Sequence, residues 1–291
     1  MYDRILIPVD GSDEATQAAR RGLDLARQFD AAVEVLYVID RRSSTRTADE
    51  QADLRERGEE IVAEIEALAS DLDRPVTTTV TDGSPAARIA RLAAEYDVGL
   101  IVIGRQGITG LSKRLLGGVT EGVLNRSDVP VLVVPKGDQS TGDSSDYDRL
   151  LVPTDGSENA TRAAPHASAV AGQYGSTVHV LSVIDIQSAG GAFSAGGLEQ
   201  SFVDHLEDEA SETVDDLAAE IDAAADVETA VEKTSLDGVA AEIREYIGTH
   251  EIDLVVMGSH GRSNLRRQLL GSVSGDVLRS VDVPVLIVTR S

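Results

Sequence analysis

Apolar positions along this chain fall into short runs, separated by longer stretches where they recur at helical spacing. Residues 4–9 form an apolar run that ends at the turn signal Asp10-Gly11-Ser12. Ala15, Ala18, Ala19, Gly22, Leu23 and Ala26 follow on one helical face, with Ser12 placed to cap it. A second strand is predicted over 32–39 and a helix over roughly 49–72, its apolar face carried by Leu54, Ile61, Ile65 and Leu68. Further along come a strand at 75–81, a helix from Pro85 to about residue 95, and a nearly pure apolar strand at 98–103. A glycine-bearing loop, a helix over 119–125 and a strand over 129–134 complete the series. Strands alternating with helices specify an α/β fold with a parallel sheet and right-handed crossovers.

The series then repeats. Tyr-Asp-Arg-Ile-Leu-Ile-Pro-Val-Asp-Gly at 2–11 returns as Tyr-Asp-Arg-Leu-Leu-Val-Pro-Thr-Asp-Gly at 147–156, and a glycine pattern that begins at Gly104 begins again at Gly258. The offset is 145 at the first motif and 154 at the second. The later copy therefore carries 9 extra residues between them, assigned to the Gly/Ala/Ser-rich stretch 188–197. Residues 137–146 lack periodicity and are rich in Gly, Ser, Asp and Thr, so the expected division is a domain at 1–136, a linker at 137–146 and a second domain at 147–291.

Composition narrows the function classes. With 42% hydrophobic residues in 291, two ordinary cores can form, and with few aromatics they must be built from Val, Ile, Leu and Ala. A formal net charge of −24 would repel nucleic acid unless a local basic patch overcame it, and no such patch is visible. Only three of the 26 cations are lysines. That bias resembles proteins from a salt-loaded cytoplasm, and the expectation is a halophilic protein whose melting temperature rises with salt; an ordinary acidic soluble protein, whose melting temperature would not rise, is the alternative. The absence of cysteine excludes disulfides and thiolate chemistry. The N-terminus enters a strand directly and no apolar run approaches membrane length, so a cytoplasmic protein without a membrane partner is expected.

The most specific chemistry is Gly258-x2-Gly261-x9-Gly271-Ser272, lying between an apolar strand at 252–257 and a helical segment at 273–279. Gly258 would let a ligand lie against the strand end, Gly261 would free the turn, and Gly271-Ser272 would aim unpaired amides at an anion; a glycine-rich connection that merely turns a corner is the alternative. The Ser272 hydroxyl adds a donor, and Arg267, Arg266 or Arg262 could offset phosphate charge. Asp155 closes the strand Pro153-Thr154-Asp155-Gly156-Ser157. In a doubly wound sheet, that strand and the one before the glycines flank the crevice where ligands bind. Asp155 could accept from an adenine or ribose donor, and the strand end at 180–183 could supply an apolar wall; an Asx turn capping the next helix is the alternative for Asp155.

Gly-x2-Gly-x9-Gly-Ser after the fourth strand, Pro-x-Asp-Gly-Ser after the first and a terminal Val-Pro-Val-Leu-Ile-Val strand resemble the universal stress protein family, here as a tandem pair spanning the chain. The resemblance implies two Rossmann-like, doubly wound, five-stranded parallel sheets of order 3-2-1-4-5. It also implies ATP binding, with adenine near the first two strands and phosphates on the glycine loop. In the second copy it points to Pro153, Thr154, Asp155, Val183, Met257, Gly258, Gly261, Gly271, Ser272 and Val273, with Arg267 as a cation. In the first copy it points to Pro8, Val9, Asp10, Val38, Ile103, Gly104, Gly107, Gly117, Gly118 and Val119, with Lys113 as a cation.

Gly118 stands where the family has Ser or Thr, so two sites of unequal strength are expected, the second tighter, unless Thr120 supplies the missing hydroxyl. A Mg²⁺ would ride on the triphosphate near Asp155 or Asp10, without a dedicated carboxylate cage. The terminal strands resemble those through which single-domain members dimerise. An internal pseudo-dimer is therefore expected, or a homodimer of tandem chains.

Other candidates carry less. His260 sits in the loop, but the first copy has Gln106 there; His166, His179, His205 and His250 lack metal-ligand spacing; and Glu207, Asp208, Glu209 and Glu212 read as a solvated helix face. No nucleophile elbow or P-loop is present. The first expectation is an ATP-binding stress or signalling regulator, at most weakly hydrolytic. A slow ATPase or phosphoryl-transfer enzyme and a nucleotide-free structural dimerisation module are the alternatives.

Overall fold

The computed structural model describes residues 1–40, 47–108, 115–137, 147–186, 200–221, 225–234, 237–261 and 270–289. The chain forms two compact units, one of residues up to 145 together with residue 289 onward, the other of residues 146–288. The predicted 188–197 insertion and all but residue 137 of the predicted 137–146 linker lie outside the described residues.

The first unit runs β1 (Arg4–Val9), α1 (Asp13–Phe29), β2 (Ala32–Asp40), α2 (Ala48–Leu68), β3 (Val76–Gly83), α3 (Pro85–Glu95), β4 (Leu100–Gly104), α4 (Gly118–Leu124) and β5 (Val131–Val134). Its sheet is ordered β3-β2-β1-β4-β5, with β1 parallel to β2 and β4, β2 to β3, and β4 to β5. Central β4 is buried at every position and β1 at all but its first, whereas edge strand β3 is only half-buried. Central strands have helices on both faces and must be apolar throughout; an edge strand need not. Ile5, Ile7, Val33, Ile101 and Val102 are fully shielded from solvent. Each such aliphatic side chain contributes about 1.5–3 kcal/mol relative to exposure.

Helix boundaries follow local chemistry. The Ser12 hydroxyl accepts from the Ala15 amide at 3.2 Å, and Thr47 with Glu50 forms a reciprocal capping box. Pro85 opens α3, where a missing N–H costs nothing. α2 stops at Leu68, short of the predicted 72, because the chain tightens there. Ala69 donates to Glu66 and Leu72 to Ala69, turn spacings in place of helical ones.

The second unit comprises β6 (Arg149–Thr154), α5 (Glu158–Thr161), α6 (Ala164–Tyr174), β7 (Thr177–Ile184), α7 (Gln200–Glu220), β8 (Asp226–Lys233), α8 (Val239–Thr249), β9 (Leu254–Gly258), α9 (Ser272–Ser280) and β10 (Val285–Val288). Its strands follow the same parallel order, β8-β7-β6-β9-β10. One difference from a strict repeat was legible but not anticipated. The helix that is continuous in the first unit is split here into α5 and α6, because Pro165 removes an amide from the helical ladder. Strands β4, β5, β9 and β10 each begin two residues later than their apolar runs suggested. Among the described residues no helix is long and apolar enough to cross a membrane.

Candidate functional site

In each unit the carboxyl ends of the first and fourth strands meet, and the aspartate and the glycine loop meet with them. Asp10 leaves β1 and turns back on itself: Oδ1 accepts from the Ser12 amide at 3.0 Å and Oδ2 from the Ile108 amide at 3.1 Å. In the second unit, Asp155 Oδ1 accepts from the Ser157 amide at 3.0 Å. The Asx turn and the crevice position are therefore both real at these aspartates, and in the first unit the Asp10 carboxylate stitches the exit of β1 to the loop after β4.

The glycines are required for reasons other than those the sequence suggested. A Cβ on Gly107 would lie 2.2 Å from Asp10 Oδ2, and one on Gly261 would lie 2.3 Å from Asp155 Oδ2. A Cβ on Gly104 would press on the Glu14 backbone at 3.1 Å, and one on Gly258 would lie 2.4 Å from the Asn159 carbonyl oxygen. None of these four glycines is at positive φ. At Gly258 and Gly261 the protein's own atoms already exclude a side chain, and neither position needs the left-handed backbone. The first makes room for the helix that follows β6, and the second for the aspartate.

A second correction concerns the amides. Gly271 N–H donates to the Ser259 carbonyl at 2.8 Å, and Gly117 N–H to the Arg105 carbonyl at 2.9 Å, so neither is open to an anion. The first intrahelical bonds are Gly275 to Gly271 and Glu121 to Gly117. The amides that precede them, on Ser272, Val273 and Ser274 and on Gly118, Val119 and Thr120, are the helix-terminal donors, and neither helix has a side-chain cap. Thr120 cannot replace the missing hydroxyl of Gly118, because its Oγ1 donates to the Gly104 carbonyl at 2.8 Å inside the protein. Its counterpart is Ser274, whose Oγ donates to the Gly258 carbonyl at 2.9 Å. Ser272 and Gly118 are exposed, and a Cβ at Gly118 would meet nothing within 4 Å.

The remaining predicted residues line the same strand ends. Pro8 and Val9 pair with Leu36 and Tyr37, and Pro153 and Thr154 with Leu181 and Ser182, so Val38 and Val183 lie one residue beyond and are half-buried. Thr154 Oγ1 accepts from the Gly156 amide at 3.1 Å, which ties it into the turn. Ile103 and Met257 are buried under the last position of their strands. Val119 is exposed and Val273 half-buried at the helix starts. Lys113, Arg262, Arg266 and Arg267 lie outside the described residues. His260 Nδ1 contacts the Ser259 hydroxyl at 3.1 Å, while Gln106 donates from its side chain to the Leu115 carbonyl. No group of three or more His, Cys, Asp or Glu among the described residues is arranged to hold a metal ion.

Two residues escaped the sequence reading. Glu14 is 7% exposed and its Oε2 accepts from the Gln106 amide at 2.9 Å, directly under the glycine loop. Asn159 stands at the equivalent place in the second unit and is 9% exposed. Aligning the two copies at the offset of 145 would have exposed this exchange of a carboxylate for an amide.

Comparison with known proteins agrees with this architecture. The family model described as the universal stress protein family matches residues 1–135 and again 146–289. A universal stress protein of Methanocaldococcus jannaschii, MJ0531, is 35% identical over 144 residues, covering 47% of this chain and 84% of that protein. YxiE of Bacillus subtilis, also a universal stress protein, is 29% identical over 147 residues, 46% of this chain and 99% of its own length. The crystal structure of a universal stress protein from Archaeoglobus fulgidus shares the fold over 100% of both chains with a TM-score of 0.72, at 23% identity. A doubled α/β unit, glycine loops closed on the first-strand aspartates and these matches together place the chain in the universal stress protein family, as a tandem member.

Proposed function

We propose that this protein binds an adenine nucleotide in the second unit and serves as a nucleotide-responsive regulator rather than an efficient enzyme. The observation that carries this reading is the start of α9. Three successive amides, of Ser272, Val273 and Ser274, stand ahead of the first helical hydrogen bond with no side chain capping them, and the loop they belong to packs closely against Asp155 at Gly261. The amides and the aligned helix dipole suit a phosphate, and the exposed Ser272 hydroxyl adds a fourth donor. Pro153, Thr154, Val183 and Met257 would bound the nucleoside side and Gly258, Gly261, Gly271, Ser272 and Val273 the phosphate side. The nucleotide would supply the polyanion that these donors otherwise leave to water.

The test is an equilibrium titration of the purified protein with ATP, run beside an assay for released phosphate. Saturable binding without sustained phosphate release supports a regulator. Sustained release would replace it with a slow hydrolase, and no saturation at millimolar ATP would leave a structural module. The first unit tests the role of the hydroxyl. Because a Cβ at Gly118 meets nothing within 4 Å, Gly118→Ser restores a donor without steric cost, and the weaker ATP site should tighten by up to about tenfold.

A further inference from the structure

One place in the second unit gathers titratable side chains away from the crevice. His179, near the start of β7, is 4% exposed, and its Nδ1 lies 3.1 Å from the Tyr246 hydroxyl on α8 and 3.6 Å from Glu228 Oε2 on β8. The Tyr246 ring stacks on His250, the residue that caps α8, with centroids 3.9 Å apart, and the two imidazoles are 5.5 Å apart. The stack therefore fastens the last turn of α8 to β7. Arg149 on β6 opposes a positive His179 ring; its guanidinium meets Glu251 at 2.9 Å and its backbone amide donates to Asp253. Glu232, further along β8, bears on Tyr246 together with Glu228.

The stack resists a proton. A neutral imidazole can accept the Tyr246 hydroxyl hydrogen at Nδ1, whereas a charged ring donates from both nitrogens and forces the hydroxyl to turn. Burial holds His179 below its ordinary value, and His250 and Arg149 push the same way. Glu228 pulls against them, but its side chain is 62% exposed and water screens the attraction. Once the pH falls below the ordinary 6.5, the folded second unit binds fewer protons here than the unfolded chain, and stability is lost in that direction. The first unit responds oppositely at the same place. Glu34 takes the position of His179, Leu92 that of Tyr246 and Tyr96 that of His250. Burial raises the Glu34 carboxyl against the pull of Arg4, so a falling pH relieves a buried charge there and stability is gained.

We propose that the His179–Tyr246–His250 stack is an acid-released clasp, which frees the last turn of α8 from β7 in mildly acid conditions while α3, its counterpart in the first unit, stays seated. The tandem chain then carries one acid-labile and one acid-tolerant copy of the same helix.

The test is amide exchange of the full chain at pH 7 and pH 5.5, corrected for the intrinsic exchange rate and read by mass spectrometry on the peptides of α8 and α3. His166→Gln serves as the background, so that the histidine on α6 contributes nothing. There α8 should lose about fivefold in protection at pH 5.5 and α3 should not, since one proton withheld from the folded state is worth at most about tenfold per pH unit. Adding His179→Gln, which keeps a polar group beside the Tyr246 hydroxyl and cannot titrate, should abolish the loss and keep the protection at pH 7. Equal protection of α8 at the two pH values in the His166→Gln protein would overturn the clasp. So would a loss shared equally by α3, or one that persists unchanged in the double variant. The first two of these outcomes need only the His166→Gln protein, so the clasp stays open to refutation if the double variant does not fold.

Discussion

The same scaffold carries one of its ion pairs with the signs exchanged between its two halves. In the first unit Arg55 on α2 pairs with Asp82 on β3 at 2.8 Å; in the second the corresponding residues are Glu207 on α7 and Lys233 on β8, which form the bridge with the signs exchanged. Arg4 pairs with Glu34 at 3.5 Å, whereas the equivalent of Glu34 is His179, which bonds the Tyr246 hydroxyl at 3.1 Å. Against this freedom, the glycines at 104 and 258, at 107 and 261, and at 117 and 271 are identical, and a hydroxyl stands at both Thr120 and Ser274. Positions limited by backbone space have been retained. Positions limited only by the need for a partner have changed: Arg55 and Asp82 as a pair, whereas Arg4 is kept as Arg149 and pairs instead with Glu251 at 2.9 Å.

The sharpest way to break the comparison is to add a methyl group to matched glycines. Gly258→Ala drives a Cβ to 2.4 Å from a backbone oxygen, which cannot move without shifting the helix after β6, whereas Gly104→Ala meets its neighbours at 3.1 Å. The first should cost about 3 kcal/mol and the second about 1 kcal/mol, read as shifts in the denaturant midpoint with amide exchange to locate the loss. Equal costs would mean that the two loops are packed alike.

A smaller effect separates the units by pH. Burial pushes His166 from its ordinary 6.5 down to about 4, whereas the first unit has Arg21 at the equivalent place, charged throughout. The folded state holds His166 neutral, so the unfolded chain binds the extra proton below pH 6.5. Stability is full above that value and falls as the pH drops toward 4, by roughly 2–3 kcal/mol in total. Acid should therefore loosen the second unit first, as followed by amide exchange at pH 7 and pH 4.5, and His166→Gln should reduce that slope, the rest coming from His179, which burial also holds below its ordinary value.

The smallest effect tests the exchanged bridge. Asp82→Lys alone leaves two cations facing each other and should cost about 0.5–1 kcal/mol, while adding Arg55→Glu should recover most of it. These side chains are between 29% and 46% exposed, so the recovery should shrink in high salt.

Much of this molecule is visible without coordinates. Ser12 and Ser157 cap their helices, Pro85 opens α3, and the buried central strands coincide with the purest apolar runs, because each of these features is decided within a few residues of chain. The strand order came through family resemblance and not through periodicity, since apolar spacing reports which face is buried but not which strand lies alongside. The internal contacts of the candidate site residues were not legible in the chain. Gly258, Gly261 and Thr120 were given roles toward a ligand, whereas their partners are Asn159, Asp155 and the Gly104 carbonyl inside the protein. Pro165 was the opposite case, a local signal present in the chain whose effect in splitting a helix was passed over.

The order of amino acids alone determined that the chain is a duplicated α/β unit, acidic and free of cysteine, with helix starts and strand cores set by short-range preference. Tertiary structure decided which groups the glycine loops leave open and which they use up. The bonds from Gln106 to Glu14 and from Ile108 to Asp10 join residues 92 and 98 positions apart. Contacts at such separations arise only when β1 and β4 are laid side by side, and the space left between them then dictates which residues can have a side chain at all.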